Sequence, residues 1–428
     1  MSRLLETVAP GRLGEGFRWL LASSWVSNLG DGMALAAGPL LVASQTRDPL
    51  LVAMAVLLQQ LPWLLFGLQA GAIADRLDRR TIVMSVDLAR SAVLVVVCVA
   101  IATGAVSVAV VLLALFVLGT AEVFADNASS TLLPMLVVRS DLAVGNARLQ
   151  TGFLTVNQLA GPPLGAALFA AGAIWPFAAQ AVLVGLGAVL VSRIVLPAHG
   201  RRYRPTGEKH LRADIAEGFR WVRHHAAVRT LILTIFIFNI TYGAAWSVLV
   251  LYATERLGMG PVGFGLVTTV MAVGGLAGTA SYGWITRRVS LGNVMRIGLV
   301  IETLTHLALA LATRPALALP VFFVFGAHAF VWGTTSVTVR QRAVPTELQG
   351  RVGSVNSLGS YGGMVAGAAL GGVLAQQWGV TAPFWFAFAG SAVFLVLIWP
   401  QLRHIAHDEG AHDDGVHDHG ALVPPVAS

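Results

Sequence analysis

The stretch "GAIADRLDRR", residues 71–80, packs five charged side chains into ten positions, yet apolar windows border it on both sides, at 50–73 and 81–103. Such an abrupt exchange of apolar for charged and back reads as two membrane-crossing helices joined by a short aqueous loop. An α-helix needs about 20 predominantly apolar residues to cross roughly 30 Å of hydrocarbon. Working outward from this loop, comparable windows lie near 17–44, 50–73, 81–103, 106–133, 149–172, 175–197, 229–254, 262–285, 291–313, 316–339, 352–375 and 379–400. The expectation is an all-α membrane protein of twelve transmembrane helices. Composition agrees, since 56% of the 428 residues are hydrophobic and 11% are charged, against about 25% charged in an ordinary soluble domain. The first window carries Asn28 and Asp31 and lacks a small-residue cleavage site, so it is expected to remain as the first helix.

The basic residues give an orientation. Of 28 Lys and Arg, 24 fall beside helix ends on one side, and only Arg47, Arg256 and Arg314 fall on the other, with Arg90 inside a span. By the positive-inside rule both termini are expected to be cytoplasmic, and the Ala/Val/Leu/Gly/Arg-rich usage points to the cytoplasmic membrane of a bacterium with a GC-rich genome. The formal charge of +7 is therefore explained by the bilayer, and no nucleic-acid partner is implied. Cys98 is the sole cysteine, which excludes an intramolecular disulfide and a cysteine metal cluster. No phosphate-binding glycine loop, zinc-binding helix motif or hydrolase nucleophile elbow is present, so no cofactor is expected and ATP-driven transport and hydrolysis are disfavoured.

The helices repeat. "AGPPLGAAL" at 160–168 aligns without gaps on "AGAALGGVL" at 366–374, an offset of 206, and "PF" at 176–177 recurs at 383–384. At an offset of 212, Pro49 falls on Pro261 and Gly71 on Gly283. Six helices used twice give two pseudo-symmetric halves, 1–197 and 229–400, joined by a basic linker at 198–228 and followed by a His/Asp-rich tail at 401–428. Within the linker, 211–222 has amphipathic spacing suited to a helix on a membrane surface. The tail holds five of the eleven histidines and is read as a solvated, disordered cytoplasmic segment rather than a metal site.

Loop 71–80 resembles the major facilitator signature G-x-x-x-D-R-x-G-R-R: Gly71, Asp75, Arg76, Arg79 and Arg80 match, while Asp78 stands where glycine is usual. The resemblance implies a cytoplasmic gate that stabilises the outward-open state. There Gly71 would permit close helix contact, and Asp75 would cap a helix or pair with an arginine of the other half. "NQLAGPPLGAAL" in the fifth window is similar to the antiporter motif of the family's drug exporters, with Gly161, Pro162 and Gly165 matching and Pro163 added. Small residues let helices approach and prolines bend them. Together with "SNLGDG", "VDLAR" at 86–90 and "QRAVPTELQGRVGS" at 341–354, these motifs resemble the branch of macrolide, multidrug and enterobactin-type exporters. The resemblance implies the major facilitator fold, with a midplane site between two halves that rock against each other. One departure stands out: the arginine that many proton-coupled members carry in the fourth helix is absent.

An ionisable side chain at a helix centre costs about 2.5–3.5 kcal/mol on insertion scales, so several of them argue for use. The proton-coupling candidates are Asp31, Asp87, Arg90, Glu122, Asp126 and Glu302. Ser24, Asn28 and Asp31 form one polar stripe, which places Asp31 towards an aqueous central cavity. Asp87 and Arg90 are spaced i,i+3 and can neutralise each other. Glu122 and Asp126 share a face, and Glu302 has the same spacing to His306 and can pair with it. Candidate cavity residues are Asn28, Gln59, Gln60, Trp63, Asn157, Asn239, Tyr242, Trp246, His328 and Trp332, amides and aromatics that suit an amphiphilic cargo.

The leading expectation is a monomeric, proton-coupled antiporter that exports amphiphilic small molecules or drugs by alternating access. A lipid or lysolipid flippase or a siderophore exporter on the same scaffold remains open. A membrane enzyme acting on lipid-linked substrates is the remote alternative, since the longest loop is a basic linker rather than a cluster of carboxylates or histidines.

Overall fold

A computed structural model describes residues 10–196 and 211–401, with the side chains of Ala72, Asp75, Arg76, Leu211 and Arg212 left undescribed. The tail and the first part of the linker lie outside this range. All regular structure among the described residues is helical. The principal helices are α1 (Gly14–Gln45), α2 (Pro49–Arg76), α3 (Arg79–Ala102), α4 (Val108–Ser130), α5 (Leu142–Gly152), α6 (Gly161–Ala171) and α7 (Trp175–Ser192). They continue as α8 (Leu211–His224), α9 (Ala226–Ser247), α10 (Pro261–Thr286), α11 (Leu291–Leu311), α12 (Pro315–Ala343), α13 (Gln349–Trp378) and α14 (Ala382–Ile398).

Ten of the described helices are long and apolar enough to cross a membrane. The fifth and twelfth windows do not fold into long regular helices. The fifth is split into α5, a π-helical stretch Phe153–Ala160 and α6, and the twelfth is the 17-residue α14. Pro162 and Pro163 supply the reason for the split, because neither can donate the backbone hydrogen bond that a regular helix requires.

Local chemistry sets the helix starts. Asp48 accepts a hydrogen bond from Leu50 N (2.9 Å) ahead of α2, and Asp78 accepts one from Thr81 N (2.9 Å) ahead of α3. Proline occupies the first turn of α2, α10, α12 and α14, where its missing N–H costs nothing. Outward-facing apolar side chains such as Val96 and Val396, 64% and 74% exposed, form a sleeve that only lipid would cover.

Two helix sets, α1–α7 and α9–α14, each pack internally. In the first set α2 meets α4, α3 meets α7, and α1 lies against α6 and α7; in the second, α10 meets α12, α11 meets α14, and α9 lies against α13 and α14. The aligned glycines occupy matching places. A Cβ on Gly161 or Gly165 would overlap the backbone of Gly32 or Met33 in α1, and one on Gly367 or Gly371 would overlap Ile240 or Ala244 in α9.

Between the sets, α2 packs on α13 and α6 on α10. These contacts concentrate at the end that carries few charges. Gly372 abuts Leu50 and Ala53, Gly265 abuts Ala166 and Pro162, and Gln376 Nε2 donates to Asp48 (3.2 Å). A single apolar core containing Val52, Phe177, Tyr252, Phe264 and Phe384 spans both sets there. At the opposite, arginine-rich end the clusters belong to one set each: Leu13, Phe17, Leu133 and Ile194 in the first, Val222, Val228 and Val352 in the second. The molecule is thus sealed at its charge-poor end and parted at its basic end.

The amphipathic stretch 211–222 does form a helix, α8, but it is docked on protein. Arg351 of α13 pairs with Asp214 (3.0 Å) and Glu217 (2.7 Å), and Gly218 lies against the Arg351 backbone.

Candidate functional site: a buried ion cluster beside a central cavity

Three helices bring charges together in the first set. Arg90 of α3 reaches Asp87, one turn back on its own helix, at 3.2 Å, and pairs with Asp31 of α1. Gln180 Nε2 of α7 also donates to Asp31 Oδ1, at 3.3 Å. Arg90 and Asp87 are each 3% exposed, so the charges sit in a medium where their attraction is strong and the loss of a partner is costly. The Arg90 Nε has no hydrogen-bond partner among the described residues. The spacing-based pairing of Asp87 with Arg90 therefore exists, but Asp31 does not line the central cavity as its polar stripe implied. It is held in the arginine's grip, because α1 and α3 converge on α7 at that level.

Glu122 and Asp126 of α4 lie within electrostatic reach of the same guanidinium. They also lie within reach of Tyr361 on α13, which places their face of α4 on the cleft between the two sets. Asp126 is exposed and Glu122 half-buried. Trp63 and Tyr361 stack across the cleft with ring centroids 5.4 Å apart. The cluster accordingly holds one fixed positive charge and four carboxyl groups drawn from α1, α3 and α4.

A cavity of about 480 Å³ lies between the sets, above the shared apolar core. Of the residues expected in a substrate cavity, Gln59, Gln60, Asn239, Tyr242, Trp246, His328 and Trp332 line this one. Three expected residues do not. Asn157 is buried at the α1 contact and donates to Asn28 O (3.2 Å), the Asn28 amide turns back to Ser24 O (2.8 Å), and Trp63 is committed to Tyr361. Sequence reasoning missed Gln158 and the aromatic wall residue Phe325; Gln158 neighbours the flagged Asn157, but nothing distinguished Phe325 from packing.

Glu302 faces this cavity, apart from the Arg90 cluster. Its partner is His328 of α12 (3.4 Å), not His306, the residue one turn along its own helix. His306 is fully buried, and neither of its ring nitrogens is bonded among the described residues. The i,i+4 spacing put both groups on one face, but α12 packs against that face and intercepts the carboxylate.

The 71–80 loop is anchored within the first set. The Arg79 guanidinium contacts Met135 Sδ (3.1 Å), and Arg80 donates to Ile194 O (2.7 Å). Asp78, the departure from the signature, caps α3 by accepting from Thr81 N, while the side chains of Asp75 and Arg76 lie outside the description. Gly71 is not a point of close approach: a Cβ there would meet only Asn127 Oδ1, at an ordinary 3.6 Å. In the fifth segment Gly161 and Gly165 do make close approaches to α1, and the carbonyl of Pro162 and the Cα of Pro163 lie beside Gly265 of α10.

Comparison with known proteins agrees with this geometry. A profile of the transmembrane secretion effector family matches residues 6–418. The multidrug efflux pump Tap of Mycolicibacterium fortuitum is 29% identical over 380 residues, 85% of this chain and 90% of that protein. The macrolide efflux protein A of Streptococcus pyogenes is 24% identical over 381 residues, with 85% and 90% covered. Among solved structures, a bacterial homologue of the iron transporter ferroportin in its inward-facing state superposes with a TM-score of 0.71 at 16% identity, covering 90% of this chain and 98% of that one. The outward-facing state of such a homologue, with soaked iron, superposes with a TM-score of 0.59 at 17% identity, covering 90% of this chain and 98% of that one. The chain is a multi-pass membrane transporter, not an enzyme, and it belongs to the transmembrane secretion effector family of the major facilitator superfamily.

Proposed function

We propose that this protein is a proton-coupled antiporter that exports amphiphilic small molecules across a bacterial cytoplasmic membrane, acting as a monomer by alternating access. In this reading the chain crosses the membrane twelve times, with the split fifth segment and α14 adding to the ten long helices. Two six-helix halves move about the central cavity, and both termini are cytoplasmic. Three features support the arrangement: the matching helix pairings in the two sets, the glycines at an offset of 206 packed on the first helix of their own set, and the arginine-rich end. The cavity would face the cytoplasm in the state described, ready to load. Gly71, Asp75, Arg76, Arg79 and Arg80 would form the cytoplasmic gate that closes as the outer end opens.

The observation that carries the coupling is the Arg90 cluster. Around one fixed guanidinium, each proton gained or lost by Asp31, Asp87, Glu122 or Asp126 would change the net charge of the protein interior. Asp31 precedes Gly32, whose Cα lies against the Asn157 and Gly161 backbone. A change in the hold of Arg90 on Asp31 is therefore passed directly to the π-helical fifth segment, the piece of the first half that touches α10. Proton traffic at the cluster and movement of the halves would share one element, which is what coupling requires. Arg90 on α3 would serve where other exporters use an arginine of the fourth helix.

Everted membrane vesicles with an imposed pH gradient test this. Asp31→Asn and Glu122→Gln should each reduce gradient-driven transport by roughly tenfold or more while leaving the protein folded. Transport that stays gradient-dependent at the wild-type rate in both variants removes the cluster from the mechanism.

A further inference from the structure

The second set of helices holds a feature that proton coupling at Arg90 does not use. Among the residues lining the central cavity, Glu302 is the only carboxylate, and neither lysine nor arginine is present. The four other intramembrane carboxylates are gathered around Arg90 and are not part of the lining. Glu302 therefore sets the sign of the cavity.

Its surroundings are aromatic. Tyr242 stacks on Trp246 with ring centroids 4.4 Å apart and on Phe325 at 5.7 Å, and Phe325 meets Trp246 at 5.0 Å. Phe325 also stands edge-on to His328, the residue bonded to Glu302 Oε2. Tyr242 lies within electrostatic reach of Glu302. The His328 bond fixes the carboxylate beside the aromatic wall and leaves Oε1 without a hydrogen bond among the described residues. Only 12% of the Glu302 side chain is exposed, so the charge is largely desolvated and a cation in the cavity would meet it through little water. Aromatic faces carry negative potential, and they reinforce a lone carboxylate in attracting an organic cation.

We propose that Glu302, with Tyr242, Trp246 and Phe325, forms the recognition site for a lipophilic organic monocation, His328 being a positioning residue for the carboxylate. This rests on the export reading and names its substrate class. The rings take the hydrocarbon bulk of the cargo, and the carboxylate takes its charge. Anionic amphiphiles are disfavoured because the lining holds Glu302 and neither lysine nor arginine, and neutral ones bind through the rings alone.

The test uses the full-length protein in detergent and a pair of probes of similar bulk, tetraphenylphosphonium (cationic) and triphenylphosphine oxide (neutral), with binding followed by titration calorimetry. Wild-type protein should prefer the cation by roughly tenfold, about 1.4 kcal/mol. Glu302→Gln should abolish that preference by weakening cation binding and leaving the neutral probe within about twofold, whereas Glu302→Asp should keep part of it. Equal affinity of the wild type for the two probes overturns the proposal without any variant, as does a Glu302→Gln protein that still prefers the cation. Vesicle transport separates the two readings: a protein that exports triphenylphosphine oxide as well as tetraphenylphosphonium remains an exporter without this recognition site, whereas one that exports neither probe nor any amphiphile of a wider panel fails as an exporter.

Discussion

Arg90 is the residue on which the first set of helices most depends. Two of its acid partners are direct, so truncating it strands buried charge. Arg90→Ala should lower stability in detergent by about 3–5 kcal/mol, the cost typical of removing one member of a buried pair, seen as a large drop in thermal midpoint. Arg90→Lys should recover part of it, since a lysine keeps the charge but cannot reach Asp31 and Asp87 with a rigid fork. A midpoint unchanged in Arg90→Ala would show that the carboxylates hold one another without it. The link between Asp87 and Arg90 was legible in the sequence because helical spacing dictates it. The link to Asp31, 59 positions away, was not, because only the packing of α1 on α3 and α7 brings it about. Glu302 shows the opposite case: local spacing pointed to His306, and a neighbouring helix overrode it with His328.

At the level of single elements, the broken fifth segment and the glycines facing it carry the design. Gly165→Ala forces a Cβ into the Met33 backbone, so expression should fall sharply and export with it. Gly71→Ala, although it alters the more widely recognised signature, places its Cβ at an ordinary 3.6 Å from Asn127 Oδ1 and should leave expression within about twofold of wild type, as an immunoblot would show. The contrast was not legible in the sequence, where each is a glycine in a motif and the distance to the next backbone is unstated. The bend was legible from Pro162 and Pro163, although its form, an eight-residue π-helical run, was not. The docked linker helix makes a milder prediction. Arg351→Ala removes its partner for Asp214 and Glu217, and since all three side chains are at least a third exposed, global stability should change by less than about 1 kcal/mol. Hydrogen exchange in 211–224 should nonetheless quicken, and unaltered exchange there would show that the helix is held by its other contacts.

For the whole molecule, apolar windows and loop charges already announced an all-helical membrane bundle. Which end is sealed could not be read from them, since hydropathy and charge do not say which helix ends meet. The seal at the charge-poor end is now concrete, with Asp48 meeting Gln376 and Gly372 meeting Leu50. In a Cys98→Ser background, a cysteine pair at Asp48 and Gln376 should cross-link readily in resting vesicles and stop export when cross-linked. Failure to cross-link would show that this end is not closed in resting vesicles, and export that continues through the bond would show that it does not part during the cycle.

That seal also has a thermal consequence. Its one described polar bond across the sets is small beside the aliphatic and aromatic core it borders, so parting the outer mouth would chiefly wet hydrocarbon surface. Wetting hydrocarbon raises heat capacity, and the penalty for it shrinks on cooling. The balance between the two mouths should therefore follow a curved rather than straight van't Hoff plot, with chilled membranes holding more of the population open to the outside than warm ones do.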